Sequence, residues 1–189
     1  MKEKNLVIFM PSIESGGNEK NFFIITNYLS QKIGNVYVIT ADKSYKKKFN
    51  SNINLIVPKS NFWSKEGRFK KYLICLFLLF KLNKKVKKFL VLSFQANIYC
   101  IILSKILGKK IIIRSNSSPS GWAKNFFKGL IFKIFLNLAN LIIVNSFDLK
   151  KDLNTRFKIN SSCIYNPLNK KEILKKSIIR INNRLFRNK

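Results

Sequence analysis

The chain contains no histidine, and its three cysteines, Cys75, Cys100 and Cys163, stand far apart with no C-x-x-C pair. A zinc centre, a Ser-His-Asp triad and a Cys-His dyad therefore have no residues to build from. Scattered thiols in odd number suit a reducing, cytoplasmic compartment better than a disulfide-stapled secreted domain. Glycine (7) and proline (4) are scarce, which excludes collagen-like and linker-like chains. Neither G-x-G-x-x-G nor G-K-[ST] occurs, so dinucleotide and Walker-type sites are disfavoured. Long apolar runs are missing as well. The longest uncharged one, residues 72–80, is far shorter than the roughly 20 residues a membrane span needs. Near the N-terminus, the apolar stretch from Leu6 stops at Pro11, too soon for a signal peptide.

The scarcest commodity is negative charge: 8 Asp+Glu against 37 Lys+Arg leave a net charge of +29. Lysine, isoleucine and asparagine are all abundant, as an AT-rich coding sequence would give, but that bias does not explain the missing acids. The excess is uneven. Residues 1–42 are neutral, whereas residues 43–89 carry +13. Such a block points to an anionic partner facing the second quarter of the chain.

What is present is enough for one folded domain. In 189 residues, 47% are hydrophobic and 13% aromatic, so a sizeable core can form. Short apolar runs at 6–10, 36–40, 53–57, 89–94, 111–113, 141–144 and 163–165 have the length of buried strands. Between them lie helical patterns at 18–33, closed by Gly34 as a C-cap, at 96–107, with Gly108 past its end, and at 122–139. Another covers 148–157, with Ser146 as its N-cap. Strands alternating with helices predict βαβ units: an α/β, Rossmann-like parallel sheet with helices on both faces. Residues 1–168 would form this domain, and the basic segment 169–189, with a weak helical period, would lead out of it.

Three stretches carry candidate chemistry. Gly16-Gly17 lies between the first strand and the first helix, where a phosphate could approach backbone N–H groups at the positive helix end; a simple tight turn explains the pair equally well. The stretches 93–97 and 114–119 follow two later strands and would open onto the same crevice. Their Asn97, Arg114, Ser115 and Asn116 suit a polyhydroxylated or phosphorylated ligand, although Ser and Asn are also ordinary loop-formers. Residues 65–88 combine an apolar centre with basic flanks. Read as a surface helix, they would set Lys70, Lys71, Lys84 and Lys85 on anionic headgroups and Phe77 and Phe80 among acyl chains. The plainer reading is a core helix with solvated lysine ends.

Taken in order, these segments resemble glycosyltransferase family 4. The loop Pro11-Ser12-Ile13-Glu14-Ser15-Gly16-Gly17-Asn18-Glu19-Lys20 is similar to the GG-x-E loop that opens the family's N-terminal domain. The series VLSFQANIYC, GKKIIIRSNSSP, LANLIIVNSFDLKKDL and CIYNPLN is similar to that domain's later strands. The resemblance spans roughly residues 5–170. It implies one N-terminal, acceptor-side domain of a GT-B fold and retaining transfer from a nucleotide-sugar donor to a lipid-linked or saccharide acceptor in surface polysaccharide synthesis. It further implies no metal and no cofactor, in agreement with the missing D-x-D pair, and a place at the inner membrane face. Gly16 and Gly17 would approach the donor diphosphate, Arg114 and Ser115 would contact acceptor or leaving phosphate, and Asn97 and Asn116 would orient sugar hydroxyls; no catalytic residue is identified. Two departures stand out: no Glu pair has the donor-binding E-x7-E spacing, and the loop at 114–118 lacks the histidine many members carry. The donor-binding domain would then lie on a separate polypeptide or on chain beyond Lys189, and this chain alone would be inactive. The rival reading is a non-catalytic basic module on anionic membrane or nucleic acid. Nucleic acid is not expected, because the aromatics fall in apolar runs rather than on a stacking face.

Overall fold

The computed structural model describes residues 5–14, 16–117 and 126–178. Seven strands alternate with helices: β1 (Asn5–Phe9), α1 (Gly17–Ser30), β2 (Asn35–Ile39), a 3-10 segment (Lys43–Lys48), β3 (Ile53–Ile56), α2 (Phe62–Lys65) and α3 (Arg68–Lys85). There follow β4 (Leu90–Ser93), α4 (Asn97–Ile106), β5 (Lys110–Ser115), α5 (Phe126–Asn137), β6 (Leu141–Val144), α6 (Phe147–Phe157), β7 (Ser162–Cys163) and α7 (Lys170–Ser177). All seven strands are parallel in the order β3-β2-β1-β4-β5-β6-β7. The expected α/β, Rossmann-like sheet is the fold observed.

Side-chain alternation along the strands builds two cores. Val7, Phe9, Val91, Ile111 and Ile113 meet Cys75 and Leu79 of α3, Cys100 and Ile101 of α4, Leu136 of α5 and Leu153 of α6. On the opposite face, Leu6, Ile8, Val36, Val38 and Leu92 meet Phe22 of α1. The helix ends follow local chemistry. Ser146 Oγ accepts from Leu149 N (3.2 Å), as an N-cap should. Gly108, at φ +66°, lets α4 close with Lys109 N donating to Ser104 O and Gly108 N to Lys105 O.

Several local expectations need correction. Gly34 does not cap α1: the helix ends at Ser30, and Gln31, Lys32 and Ile33 already turn back onto Tyr28 O and Leu29 O. Asparagine side chains then take up carbonyls at that end, Asn50 bonding Asn27 O and Asn52 bonding Ser30 O. The stretch 65–88 is not one helix but breaks at Gly67 between α2 and α3. The 3-10 segment has no apolar period and was not legible. Of the helix expected at 122–139, residues 122–125 lie outside the described residues, as do Ser118, Pro119 and 179–189.

Candidate functional site

A parallel sheet delivers every strand-to-helix loop to one edge, and the strand order reverses between β1 and β4. The loop after β1 is anchored across this switch point. Ser12 N donates to Gln95 Oε1 beyond β4 (2.8 Å), and Ile13 N donates to Asp42 Oδ2 beyond β2 (2.7 Å). The second Asp42 oxygen accepts from Lys71 Nζ of α3 at 2.7 Å, with both side chains more than 90% buried. Outermost, Arg68 grips the Glu14 carboxylate through two nitrogens. That bond holds the Glu14 carboxyl below the usual carboxylate range. Asp42 lies outside the candidate stretches, whereas Arg68 lies within 65–88 and Gln95 within 93–97, each with an unforeseen partner. Each contacts the loop from 29 or more residues away in sequence, and no local pattern signals such a partner.

Gly16, in extended backbone, is the N-cap of α1, and Gly17 opens the helix. A Cβ on Gly17 would meet nothing within 4 Å, whereas one on Gly16 would lie 2.7 Å from Glu19 Oε2. Gly17 thus leaves backbone open for an incoming group, but Glu19 holds the position in the first turn that an anion would otherwise favour. Gly16, Glu14, Glu19, Lys20 and Lys48 line one hollow of about 460 Å³.

Asn97 and Ser115 meet at a different hollow of about 560 Å³, walled by Ile98, Tyr99, Ile131 and Phe135 of α4 and α5. Asn97 is a strut between strands: Oδ1 accepts from Ser93 Oγ (2.8 Å) and Nδ2 donates to Arg114 O (3.2 Å). Ser115 Oγ donates to Ser117 O at 3.3 Å, and Asn116 Oδ1 is buried with no partner among the described residues. Ala96, just before α4, is held at φ +55°, a left-handed strain that a non-glycine residue shows only where neighbours enforce it. Arg114 departs from its expected place. It is 4% exposed, and its terminal nitrogen donates to Ile164 O and Asn166 Oδ1, both at 3.0 Å, on the segment leaving β7. Burial lowers its pKa. The single cleft foreseen from the sequence is therefore divided: Asn97 and Ser115 share a hollow, while Gly16 and Arg114 face others.

The helix proposed for membrane contact is split in the same way. Phe77 and Phe80 are 49% and 41% exposed, with Lys81 Nζ over the Phe77 ring at 4.5 Å and Lys84 Nζ over the Phe80 ring at 5.1 Å. Lys84 and Lys85 are exposed, and Lys70 pairs with Glu66 at 2.7 Å on the surface. Lys71 corrects the expectation, because it points inward to Asp42 and cannot reach a headgroup in this structure. Burial raises the Cys75 thiol well above its normal range and pushes Cys100 up to about 12, so neither is an activated nucleophile. Among the described residues no group of three or more His, Cys, Asp or Glu is placed to hold a metal, and no helix is long and apolar enough to cross a membrane.

No protein-family model matches the sequence, and no curated protein does. Solved structures match in fold. HepE of Anabaena in complex with UDP and glucose aligns at TM-score 0.62 and 15% identity over 87% of this chain and 45% of that one. UGT2 of Phytolacca americana, complexed with UDP-2fluoro-glucose and pterostilbene, gives 0.59 at 11% identity over 92% and 56%. MurG of Acinetobacter baumannii gives 0.54 at 14% identity over 86% and 45%. This chain spans about half the length of these structures. They are glycosyltransferases of the GT-B fold, and at such identities the likeness shows architecture: this chain has the Rossmann-like α/β fold found in a GT-B glycosyltransferase domain.

Proposed function

We propose that the chain is the N-terminal, acceptor-side domain of a retaining, family-4-like glycosyltransferase. It would transfer a sugar from a nucleotide-sugar to a lipid-linked or saccharide acceptor in surface polysaccharide synthesis. The observation that carries the reading is the sheet order reversing between β1 and β4, with the loop after β1 pinned at that switch point and an amide-and-hydroxyl-rimmed hollow beside it. Likeness to structures that hold UDP or UDP-sugars supports a nucleotide-sugar as donor. The acceptor sits in the Asn97–Ser115 hollow, whose apolar wall suits a lipid-linked chain as well as a sugar ring. The donor diphosphate approaches Gly17 once Glu19 rotates aside. A second domain, on further chain or a separate polypeptide, holds the nucleotide, so the 189-residue chain turns nothing over alone. It works as a peripheral protein at the cytoplasmic face of an anionic membrane, which the outer face of α3 contacts through Phe77, Phe80, Lys84 and Lys85.

The test is transfer from labelled UDP- and GDP-sugars to membrane lipids or oligosaccharides by the purified chain, alone and fused to a nucleotide-binding GT-B C-terminal domain. Transfer only in the fusion, with the anomeric configuration retained, is the expected result. Turnover by the isolated chain would sink the half-enzyme reading, and inverted product would sink the retaining one.

A further inference from the structure

The two faces of the sheet are unequally covered. Helices α3, α4, α5 and α6 contribute to one core, whereas α1 is the helix that contributes to the other. Beside α1, over β4, β5 and β6, lies a third hollow of about 520 Å³. Its walls are apolar: Leu29 from α1, Leu90 and Leu92 from β4, Ile112 from β5 and Ile143 from β6. Among the described residues, its one charged wall residue is Arg114. A parallel sheet ordinarily has both faces covered, so a hollow of this size on one face is a vacancy in the packing of the described residues.

Arg114 makes the vacancy chemically specific. Arg114 is a buried residue, and the two hydrogen bonds of its terminal nitrogen go to the neutral oxygens of Ile164 and Asn166. Its Nε has no partner among the described residues. An arginine stays protonated even when burial disfavours the charge, so this cation is buried with no carboxylate bonded to it among the described residues. Position adds a direction. Arg114 stands at the carboxyl end of β5, while Leu6 and Leu90, paired at the other end of their strands, close the far end of the hollow. From Leu90 to Phe94 the sheet advances about 13 Å at roughly 3.3 Å per residue.

We infer that this hollow binds a single-chain anionic amphiphile, its phosphate or carboxylate head at Arg114 on the crevice edge and its alkyl chain along the β4–β5 surface toward Leu90. The head supplies the counter-charge that Arg114 lacks, and the tail lies on the half-buried strip of Leu90, Ile112 and Ile143. The site is separate from the Asn97–Ser115 hollow and does not depend on the transfer reading.

Calorimetric titration of the 189-residue chain with decyl phosphate, decanol and inorganic phosphate, each below any micellar concentration, tests it. Decyl phosphate should bind about tenfold or more tightly than decanol, as a charge-assisted pair adds to the same tail burial, and inorganic phosphate should not bind measurably. Arg114→Gln should bring decyl phosphate down to the level of decanol. Because Arg114 also holds the segment after β7, Leu29→Trp is the second variant; it fills the hollow from α1, leaves Arg114 in place and should weaken both amphiphiles about tenfold. Equal binding of decanol and decyl phosphate overturns the inference. So does decyl phosphate binding that survives Leu29→Trp unchanged, which would mean adsorption to surface lysines, or no binding at all, which would leave the strip to another polypeptide.

Discussion

Lys70 and Lys71 are neighbours in one helix and were given one role from sequence, yet the structure separates them completely. Lys70 belongs to the outer face of α3 with Phe69, Leu73, Phe77 and Phe80, which are 59%, 53%, 49% and 41% exposed. Lys71 belongs to the inner row with Cys75, Leu79 and Leu82, all buried. At 100° per residue the two lysines diverge by more than a quarter turn, and the helix phase, fixed by Cys75 and Leu79 in the core, decides which one meets water. A lysine is tolerable in the inner row only because Asp42 stands opposite and Ile13 N–H fills the remaining carboxylate site. Charge on a helix therefore says little about function until its facing is known. The inner face of α3 organises the candidate site, and the outer face is the one open to a partner.

The largest effect should come from breaking the inner face at Asp42. Asp42→Asn keeps an acceptor for Ile13 N–H but strands the Lys71 ammonium in the core, and should destabilise the fold by about 3–5 kcal/mol in urea unfolding. Adding Lys71→Met removes the stranded charge and should recover more than half of that loss, a coupling that only contacting residues show. A loss below about 1 kcal/mol for Asp42→Asn would mean that water reaches the pair, and the distinction between the two lysines would fall.

A matched pair of leucines sharpens the comparison at intermediate size. Leu79→Ala, in the buried row, should cost about 2–5 kcal/mol, while Leu73→Ala on the outer face should stay within about 0.5 kcal/mol. Vesicle binding should reverse the ranking. Lys84→Gln with Lys85→Gln should weaken binding to anionic vesicles by about 1 kcal/mol per lysine, roughly thirtyfold together, without altering unfolding. The attraction should fade with salt. Equal binding of the wild-type chain to neutral vesicles would reduce the outer face to ordinary solvated surface.

Most of the fold was legible because strands buried on both faces are continuous apolar runs. Leu6 to Phe9, Ile111 to Ile113 and Leu141 to Val144 could be placed from composition alone, and Gly108 and Ser146 marked helix ends through their own stereochemistry. The candidate site was legible only in outline. Parallel topology guarantees that Gly16, Asn97 and Arg114 share one edge, but it does not say which face each side chain takes. Arg114 alternates with the buried Ile113 and falls on the α1 side; Ser115, one residue on, lines the α4–α5 hollow. The pairings of Asp42, Gln95 and Arg68 with the loop were invisible, even though Gln95 lies in the 93–97 stretch, because pairing at long sequence separation is settled by tertiary packing rather than by any local motif.

The smallest effect belongs to the outermost tie, where Arg68 at the start of α3 reaches Glu14 in the exposed part of the loop. Both side chains are largely solvated, at 63% and 46% exposure, so Arg68→Gln should shift melting very little. Its signature should be electrostatic instead. Arg68 lowers the native pKa of Glu14 from the ordinary value of 4.5, so the stabilisation is fully present above that value and is lost as pH falls through the lowered native one. Carboxyl-carbon NMR should therefore place the Glu14 midpoint below 4.5 in the wild-type chain and return it toward 4.5 in Arg68→Gln. Added salt should narrow the gap between the two midpoints. The amide signals of Ser12 and Ile13 should stay in place throughout, since Gln95 and Asp42 still hold them. An unchanged Glu14 midpoint in the variant would show that the exposed pair contributes nothing, and that the loop is organised by Gln95 and by the buried Asp42–Lys71 pair.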